Sequence, residues 1–303
     1  MDNDRVIDPR RLRVLRALAD HGTVTAASEA LHLTPSAVSQ QLAALESETG
    51  QELLRRRGRR VSLTPVGEGL VKHANAVAAE LERAQATLAS FATGTKGHVE
   101  LASFASGITQ VVAPTIPKLR FFMPDVTVVV RDAEGHASVP LLLDGEIDMA
   151  ITEESRQLLS TDNPRLKLYP LYTEPFDLVL PESHPLSGGK KILAIKDLSD
   201  TEDWIAPLPG NPCRDLVEQV VDRPHITHTS DDFRAIVALV AAGAGVALVP
   251  RNAFVTPRGA VRVRVADTPP VRRVFVAVRT GSDDHPLFKR VLGALIETGR
   301  AVK

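Results

Sequence analysis

Three cap-plus-proline pairs, Asp8-Pro9, Thr34-Pro35 and Thr64-Pro65, punctuate the N-terminal part of the chain. In each, a side-chain oxygen can accept from a free N–H of a first helical turn, and proline follows at the position whose own N–H would go unpaired. Behind Asp8-Pro9, Leu12, Leu15, Leu18 and Ala19 recur at helical spacing, with Arg10, Arg11, Arg13 and Arg16 on the other faces. Gly22, after His21, suits a left-handed helix end. Thr23 caps a second helix, Val24 to about Leu31, whose small Ala26 and Ala27 permit close helix contact. His32-Leu33 forms a short turn, and Thr34-Pro35 starts a third helix running to about Glu48, with Gly50 behind it. Val38, Leu42 and Leu45 form its buried stripe, and Ser36, Ser39, Gln40 and Ala43 its opposite face.

Two short helices joined by a tight turn, the second with a small polar face, follow the helix-turn-helix plan, in which hydroxyls and amides meet base edges and phosphates. Glu52-Leu53-Leu54 and Val61-Ser62-Leu63 then read as two short strands around Arg55-Arg56-Arg57-Gly58-Arg59-Arg60, a basic wing able to reach phosphates or a minor groove. The net formal charge of −1 points away from nucleic acid, but the distribution of charge decides, and no comparable arginine run occurs elsewhere.

Thr64-Pro65 starts a fourth helix to about Ala92. Leu70, Ala74, Val77, Leu81, Ala84, Leu88 and Phe91 alternate spacings of four and three, a heptad seam that wants a partner helix. Leu70, Val77, Leu81 and Leu88 are its dimerisation candidates, and Thr93–Gly97 reads as a hinge. From Val99 strands and helices alternate as in an α/β unit with a largely parallel sheet: strands at Val99–Ser103, Val126–Arg131, 145–151, 174–181, 204–206, 245–250 and 273–279. Helices are expected from Ser106 to about Phe122 (bent or interrupted by Pro114 and Pro117), at Val139–Leu143, near Cys213–Val221, at Asp232–Ala242 and at His285–Thr298.

Several residues carry a resemblance to the LysR-type regulators: Thr23-Val24-Thr25-Ala26-Ala27-Ser28-Glu29-Ala30-Leu31, Thr34-Pro35-Ser36-Ala37-Val38-Ser39-Gln40-Gln41-Leu42, Leu45-Glu46, Leu53-Leu54-Arg55-Arg56 and Leu63-Thr64-Pro65-Val66-Gly67. Asp148-Met149-Ala150-Ile151 and Gly245-Val246-Ala247-Leu248-Val249-Pro250 resemble the same family's effector domain. The resemblance implies an all-α-type winged helix-turn-helix (1–65), a linker and dimerisation helix (66–93), and a two-lobed α/β effector domain similar to periplasmic binding proteins (97–303). Lobe 1 would span about 97–172 and 269–303, lobe 2 about 173–268, with chain crossings near 171–175 and 266–271. It implies a sequence-specific regulator of double-stranded DNA, gated by a small-molecule effector, forming a homodimer through antiparallel linker helices; only the resemblance suggests a tetramer. It places Thr23, Thr25, Thr34, Pro35, Ser36, Ser39 and Gln40 near DNA, with Arg55, Arg56, Arg57 and Arg59 of the wing. Family members often carry glutamine where this chain has Pro35, so base readout here rests more on its neighbours.

Ligands of such lobes bind beyond the carboxyl ends of the strands, which selects Ser103, Phe104, Ser106, Thr152, Pro209 and Ser230. Ser106 at a helix start favours an anion, so a carboxylate-bearing metabolite is the preferred effector class; Glu153, Glu154, Asp231 and Asp232 cut against it and suit an amine. No apolar run approaches the roughly 20 residues of a membrane span. The acidic, polar N-terminus argues against a secretory signal, and the single cysteine, Cys213, fits a reducing cytoplasm. Cys213 near a helix start invites an oxidant-sensing reading, but with no second cysteine a structural role is preferred. The histidines lack metal-ligand spacing, Gly243-Ala244-Gly245 reads as a helix stop, and no catalytic constellation or cofactor motif is present, so neither a metal nor a cofactor nor an enzyme is expected. Two alternatives compete with the regulator: an enzyme or solute-binding protein on the two-lobed scaffold, which leaves the N-terminal domain unexplained, and an architectural DNA binder with a vestigial sensor.

Overall fold

A computed structural model describes residues 6–57, 60–90, 97–154, 163–188, 192–198, 202–253, 256–266 and 268–302. The N-terminal helices α1 (Pro9–His21), α2 (Val24–Ala30) and α3 (Pro35–Thr49) form where the caps require. Asp8 accepts from the Arg10 N–H at 2.8 Å, Thr23 from Ala26 at 3.1 Å and Thr34 from Ala37 at 3.2 Å. Gly22 and Gly50 end α1 and α3 in the left-handed conformation, at φ +71° and +65°. Leu15, Ala27, Val38, Leu42 and Leu45 close the core beneath them.

The wing is a two-stranded ladder, β1 (Leu54–Arg57) against β2 (Arg60–Leu63). It starts later than the expected Glu52–Leu54, because Leu53 turns into the core while Glu46 at the end of α3 accepts from the N–H groups of Leu53 and Leu54. Arg55, Arg56, Arg57 and Arg60 therefore belong to the strands. Thr64 accepts from Gly67 N–H and donates to the Glu52 carbonyl, starting α4 (Pro65–Ser90). Twenty-six residues of helix extend about 39 Å at the standard rise.

The remaining strands and helices form two lobes around one continuous sheet. On the lobe 1 side, β4 (Val126–Asp132), β3 (Gly97–Ser103) and β5 (Met149–Glu153) run parallel, and β12 (Val271–Arg279) lies antiparallel beside β5. The long strand β6 (Leu166–Pro181) pairs with β12 over its first part and with β10 (Ala247–Pro250) and β11 (Ala260–Val265) over its second. So β6, and the segment leading from β11 to β12, carry the chain between the lobes. The sheet is mixed rather than largely parallel, because three strands run antiparallel to β6. A separate parallel pair, β8 (Asp203–Ala206) and β9 (His225–Thr229), and a short edge strand, β7 (Ile192–Leu193), complete lobe 2.

Lobe 1 buries Val99, Leu101, Met149, Ile151, Val274, Val276 and Val278 beneath α5 (Ala105–Gly107), α6 (Ala113–Phe122), α7 (Gly135–Asp144) and a C-terminal helix, Pro286–Gly299. The stretch from Ser106 to Phe122 is not broken by its prolines. A π-helical turn at Ile108–Val112 joins α5 to α6. Pro114, at the start of α6, removes the i→i−4 donor to Gln110 within that π-turn, while Pro117 lies inside α6. Lobe 2 packs Phe176, Leu178, Leu180, Trp204, Val237 and Val240 beneath α8 (Pro212–Val220) and α9 (Phe233–Ala241). The C-terminal helix Pro286–Gly299 is α10.

Candidate functional site

The first candidate surface is the exposed side of α2 and α3. Thr23, Thr25, Thr34, Pro35, Ser36 and Gln40 are exposed and Ser39 is half-buried, while Val38 and Leu42 on the other side of α3 are buried. The hydroxyls of Thr23 and Thr34 accept cap bonds, which leaves each O–H free to donate to a phosphate oxygen. Thr25 instead supports the turn, its carbonyl accepting from Ser28 at 2.7 Å. An ion pair between Arg11 and Glu48, with Arg11 also donating to Gln41 at 3.3 Å, clamps α1 to α3 and fixes the exposed face. Arg55 is exposed on β1; Arg56 and Arg57 continue that strand, and Arg59 lies outside the described residues.

The heptad seam of α4 divides. Leu70 and Ala74 pack into the helix-turn-helix core of their own chain, because the first turns of α4 lie across α1. Leu70 is thus not placed as expected. Val77, Leu81 and Leu88 are 36%, 55% and 72% exposed, a bare apolar stripe on one face. Ala79 and Ala86 are buried on another face of the helix, where Glu82 pairs with Arg279 of lobe 1 at 2.8 Å. Phe91 lies outside the described residues.

The second candidate surface lies between the lobes, around Arg272. This guanidinium is 3% exposed, donates to Glu174 at 2.7 Å and to the Ser106 hydroxyl at 2.8 Å, and lies over the rings of Phe104 and Phe233. Burial is the largest single influence and opposes its charge, but Glu174, and behind it Cys213, Tyr172 and Glu153, together raise the pKa. Glu153 is 2% exposed, and neither carboxyl oxygen has a hydrogen-bond partner of good geometry, although its own amide lies near. Burial pushes its pKa up despite Arg272. Glu134 heads α7 without capping it, and burial, reinforced by Glu153 and Asp231, raises it to about 8.

Asn211 crosses the cleft, its amide donating to Asp231 at 2.9 Å and to Glu134 at 3.3 Å. Gln110 of lobe 1 donates to the Asn252 carbonyl of lobe 2 at 2.5 Å. Between them a cavity of about 60 Å³ is lined by Phe104, Ser106, Glu134, Asp231, Phe233 and Arg272, among others. Gly135 lets α7 close on this site: a Cβ there would stand 2.6 Å from the Thr152 hydroxyl.

Of the expected effector residues, Phe104 and Ser106 meet in this cavity. Thr152 is buried beside it, its hydroxyl without a partner. Ser103 is fully buried in lobe 1, donating to the Phe104 carbonyl at 3.1 Å. Ser230 caps the turn before α9 by accepting from the Asp232 N–H, and Pro209 is exposed on a loop; neither lines the cavity. Both follow strands, but β8 and β9 form a separate pair outside the eight-stranded sheet. Arg272, Glu174 and Glu134 were missed. The first two carried a signal: Arg272 alternates in phase with Val274, Val276 and Val278, and Glu174 with Phe176, Leu178 and Leu180, so each charge sits on a core-facing position. Cys213, at the start of α8, is buried, and burial followed by Glu153 raises its thiol pKa.

A winged helix-turn-helix carried by a long helix from a two-lobed receptor defines a DNA-binding regulator with an effector-binding domain. A family model described as "Bacterial regulatory helix-turn-helix protein, lysR family" matches residues 9–68, and one described as "LysR substrate binding domain" matches 92–300. The chain belongs to the LysR family of transcriptional regulators. It is 27% identical to a probable hydrogen peroxide-inducible genes activator of Mycobacterium avium, over 94% of this chain and 92% of that one. It is 26% identical to the HTH-type transcriptional regulator AlsR of Bacillus subtilis, over 93% of each. Its fold is similar to a full-length OxyR variant of Pseudomonas aeruginosa (TM-score 0.61, 23% identity, 97% and 98% of the two chains) and to HinK of the same organism (TM-score 0.61, 20% identity, 98% and 100%).

Proposed function

We propose that α3 enters the major groove with Ser36, Ser39 and Gln40 toward base edges, while Thr23, Thr25, Thr34, Pro35 and the arginines Arg55, Arg56, Arg57 and Arg59 follow the backbone. The exposed, hydroxyl- and amide-bearing face of α3 carries this reading. An electrophoretic shift with the operator tests it. Ser39→Ala should weaken specific binding several-fold and leave thermal unfolding unchanged; unchanged affinity would mean another face reads DNA.

The effector occupies the interlobe cleft. Arg272 already has Glu174, and Arg234 at the cavity edge has Asp232, so the cations of the site are paired. Glu134, Glu153 and Asp231 are the groups that lack an ion-pair partner among the described residues, and burial raises the pKa of the first two. This favours a small ligand with a basic nitrogen over the carboxylate-bearing metabolite that the position of Ser106 suggests. In a thermal-shift screen, small primary amines should raise the melting temperature where matched carboxylates do not; the reverse ranking would restore the anion. A peroxide-responsive thiol is not supported, because the single cysteine is buried and its thiolate disfavoured.

The protein acts as a homodimer paired through the bare stripe of α4, and its role is regulatory and cytoplasmic. The described residues include no helix long and apolar enough to cross a membrane.

A further inference from the structure

A second cavity, of about 330 Å³, lies where α1, α4 and lobe 1 meet, on the far side of lobe 1 from the effector cleft. It lies within the size range of small-ligand pockets. Arg13 and Arg16 reach it from α1, Asn75 from α4, and Arg165, Arg279 and Thr280 from lobe 1. Five buried polar atoms on these residues lack a hydrogen-bond partner: Nε of Arg16, Oδ1 of Asn75, Nε and Nη2 of Arg165, and Oγ1 of Thr280. The arginine atoms are obligate donors, the threonine hydroxyl can donate, and the asparagine amide presents its NH₂ after a half-turn. Three unmet obligate donors and a hydroxyl able to donate call for a group that accepts.

The charges agree. Four arginines line the cavity against two carboxylates, Glu82 and Asp144. Glu82 is engaged by Arg279, Asp144 by His21 at 3.2 Å, and the nearby Asp20 by Arg165 at 2.6 Å. That leaves Arg13 and Arg16 without an ion-pair partner among the described residues. Burial, and after it repulsion from Arg165, lowers the Arg16 pKa. Two mutually repelling, half-buried guanidinium groups are stabilised when an anion sits between them.

We propose that this junction binds a phosphate group, free or on a small monoester, between Arg16 and Arg165. Forked guanidinium donors match phosphate oxygens in pairs. The bound anion removes the Arg16–Arg165 repulsion and joins the DNA-binding domain, the linker helix and lobe 1 of one chain. The orientation of the helix-turn-helix then depends on a second ligand, separate from the one in the cleft.

The test is calorimetric titration of the full-length protein with inorganic phosphate and with glycerol phosphate, ionic strength being held constant with sodium chloride. Saturable binding of about one anion per chain is expected. It should be weakened at least tenfold by Arg16→Gln, and likewise by Gln85→Glu, which adds a carboxylate to the cavity lining at an exposed position of α4. Binding of both anions places the specificity in the phosphate group; tighter binding of the monoester assigns the rest of the cavity to its organic part. Three results would overturn the proposal: no saturable heat, equal affinity in the wild type and both variants, or displacement of phosphate by operator DNA at equimolar ratio, which would give the arginines to the DNA backbone.

Discussion

At the residue scale the effector cleft is governed by carboxylates held away from their ordinary state. Glu134 has an ordinary pKa of 4.5 and is raised to about 8 by burial and by Glu153 and Asp231. The folded chain therefore holds a proton there that the unfolded chain releases near pH 4.5. The stability tied to this proton is complete below pH 4.5 and is lost as pH rises toward 8. Glu134→Gln, which keeps the shape without the charge, should raise stability at pH 8 by about 1–3 kcal/mol and flatten the pH dependence between 4.5 and 8. Urea unfolding at pH 5 and pH 8 measures both; an unchanged difference between the two pH values would remove Glu134 from the balance. The buried pair nearby behaves differently. Arg272→Met leaves Glu174 buried without its partner and should cost about 3–5 kcal/mol, whereas adding Glu174→Gln should recover much of that loss. This chemistry was half legible in the sequence. Glu153 and Asp231 stood out as acidic groups after strands, and their conflict with an anionic ligand was visible. Glu134 was not, because its burial comes from the closure of lobe 2 through Asn211, a contact that spans 77 positions of the chain.

Elements whose limits are set by local chemistry were the readable ones. Each N-terminal helix starts at the threonine or aspartate that caps it, since the signal is one side chain and the N–H groups two or three positions on. Several strands were missed, among them the first half of β6, β9 and β11. The first half of β6 was not anticipated, because Leu166–Thr173 gains its ladder from β12, about a hundred positions later. β11 escaped for a like reason, pairing back to β6. The attachment of α4 to lobe 1 was equally invisible, and it turns on one glycine. Gly281 has φ +97°, and a Cβ there would lie 2.4 Å from the Ala79 carbonyl of α4. Gly281→Ala should therefore cost about 1–3 kcal/mol from backbone strain and push the linker helix off lobe 1. Hydrogen exchange checks this: amides around Ala79 and Arg83 should exchange faster, while those of β3 and β5 stay protected.

For the whole molecule, the heptad pattern of α4 divides between residues packed in their own chain and a bare apolar stripe. One chain cannot cover Val77, Leu81 and Leu88, because the opposite side of the helix is already committed to Arg279 and the turn at Gly281. Burying a leucine stabilises by roughly 1.5–3 kcal/mol, so two such residues from each of two chains can hold a dimer. The proposed pairing along this stripe would bring two α3 helices into one two-fold assembly, and a two-fold reader requires an inverted-repeat site. Leu81→Lys combined with Leu88→Lys should therefore act on assembly and leave the fold alone, both positions being exposed in the single chain. Sedimentation should show a monomer at concentrations where the proposed wild-type dimer forms, with helical content unchanged. DNA binding should fall by at least about a hundredfold on the full operator, since the second half-site no longer adds its contacts, while binding to a single half-site stays as in the wild type. Were the variant to remain dimeric with full operator affinity, the stripe would have to face something other than a second copy of α4, and the two-fold arrangement of the recognition helices would need a different contact.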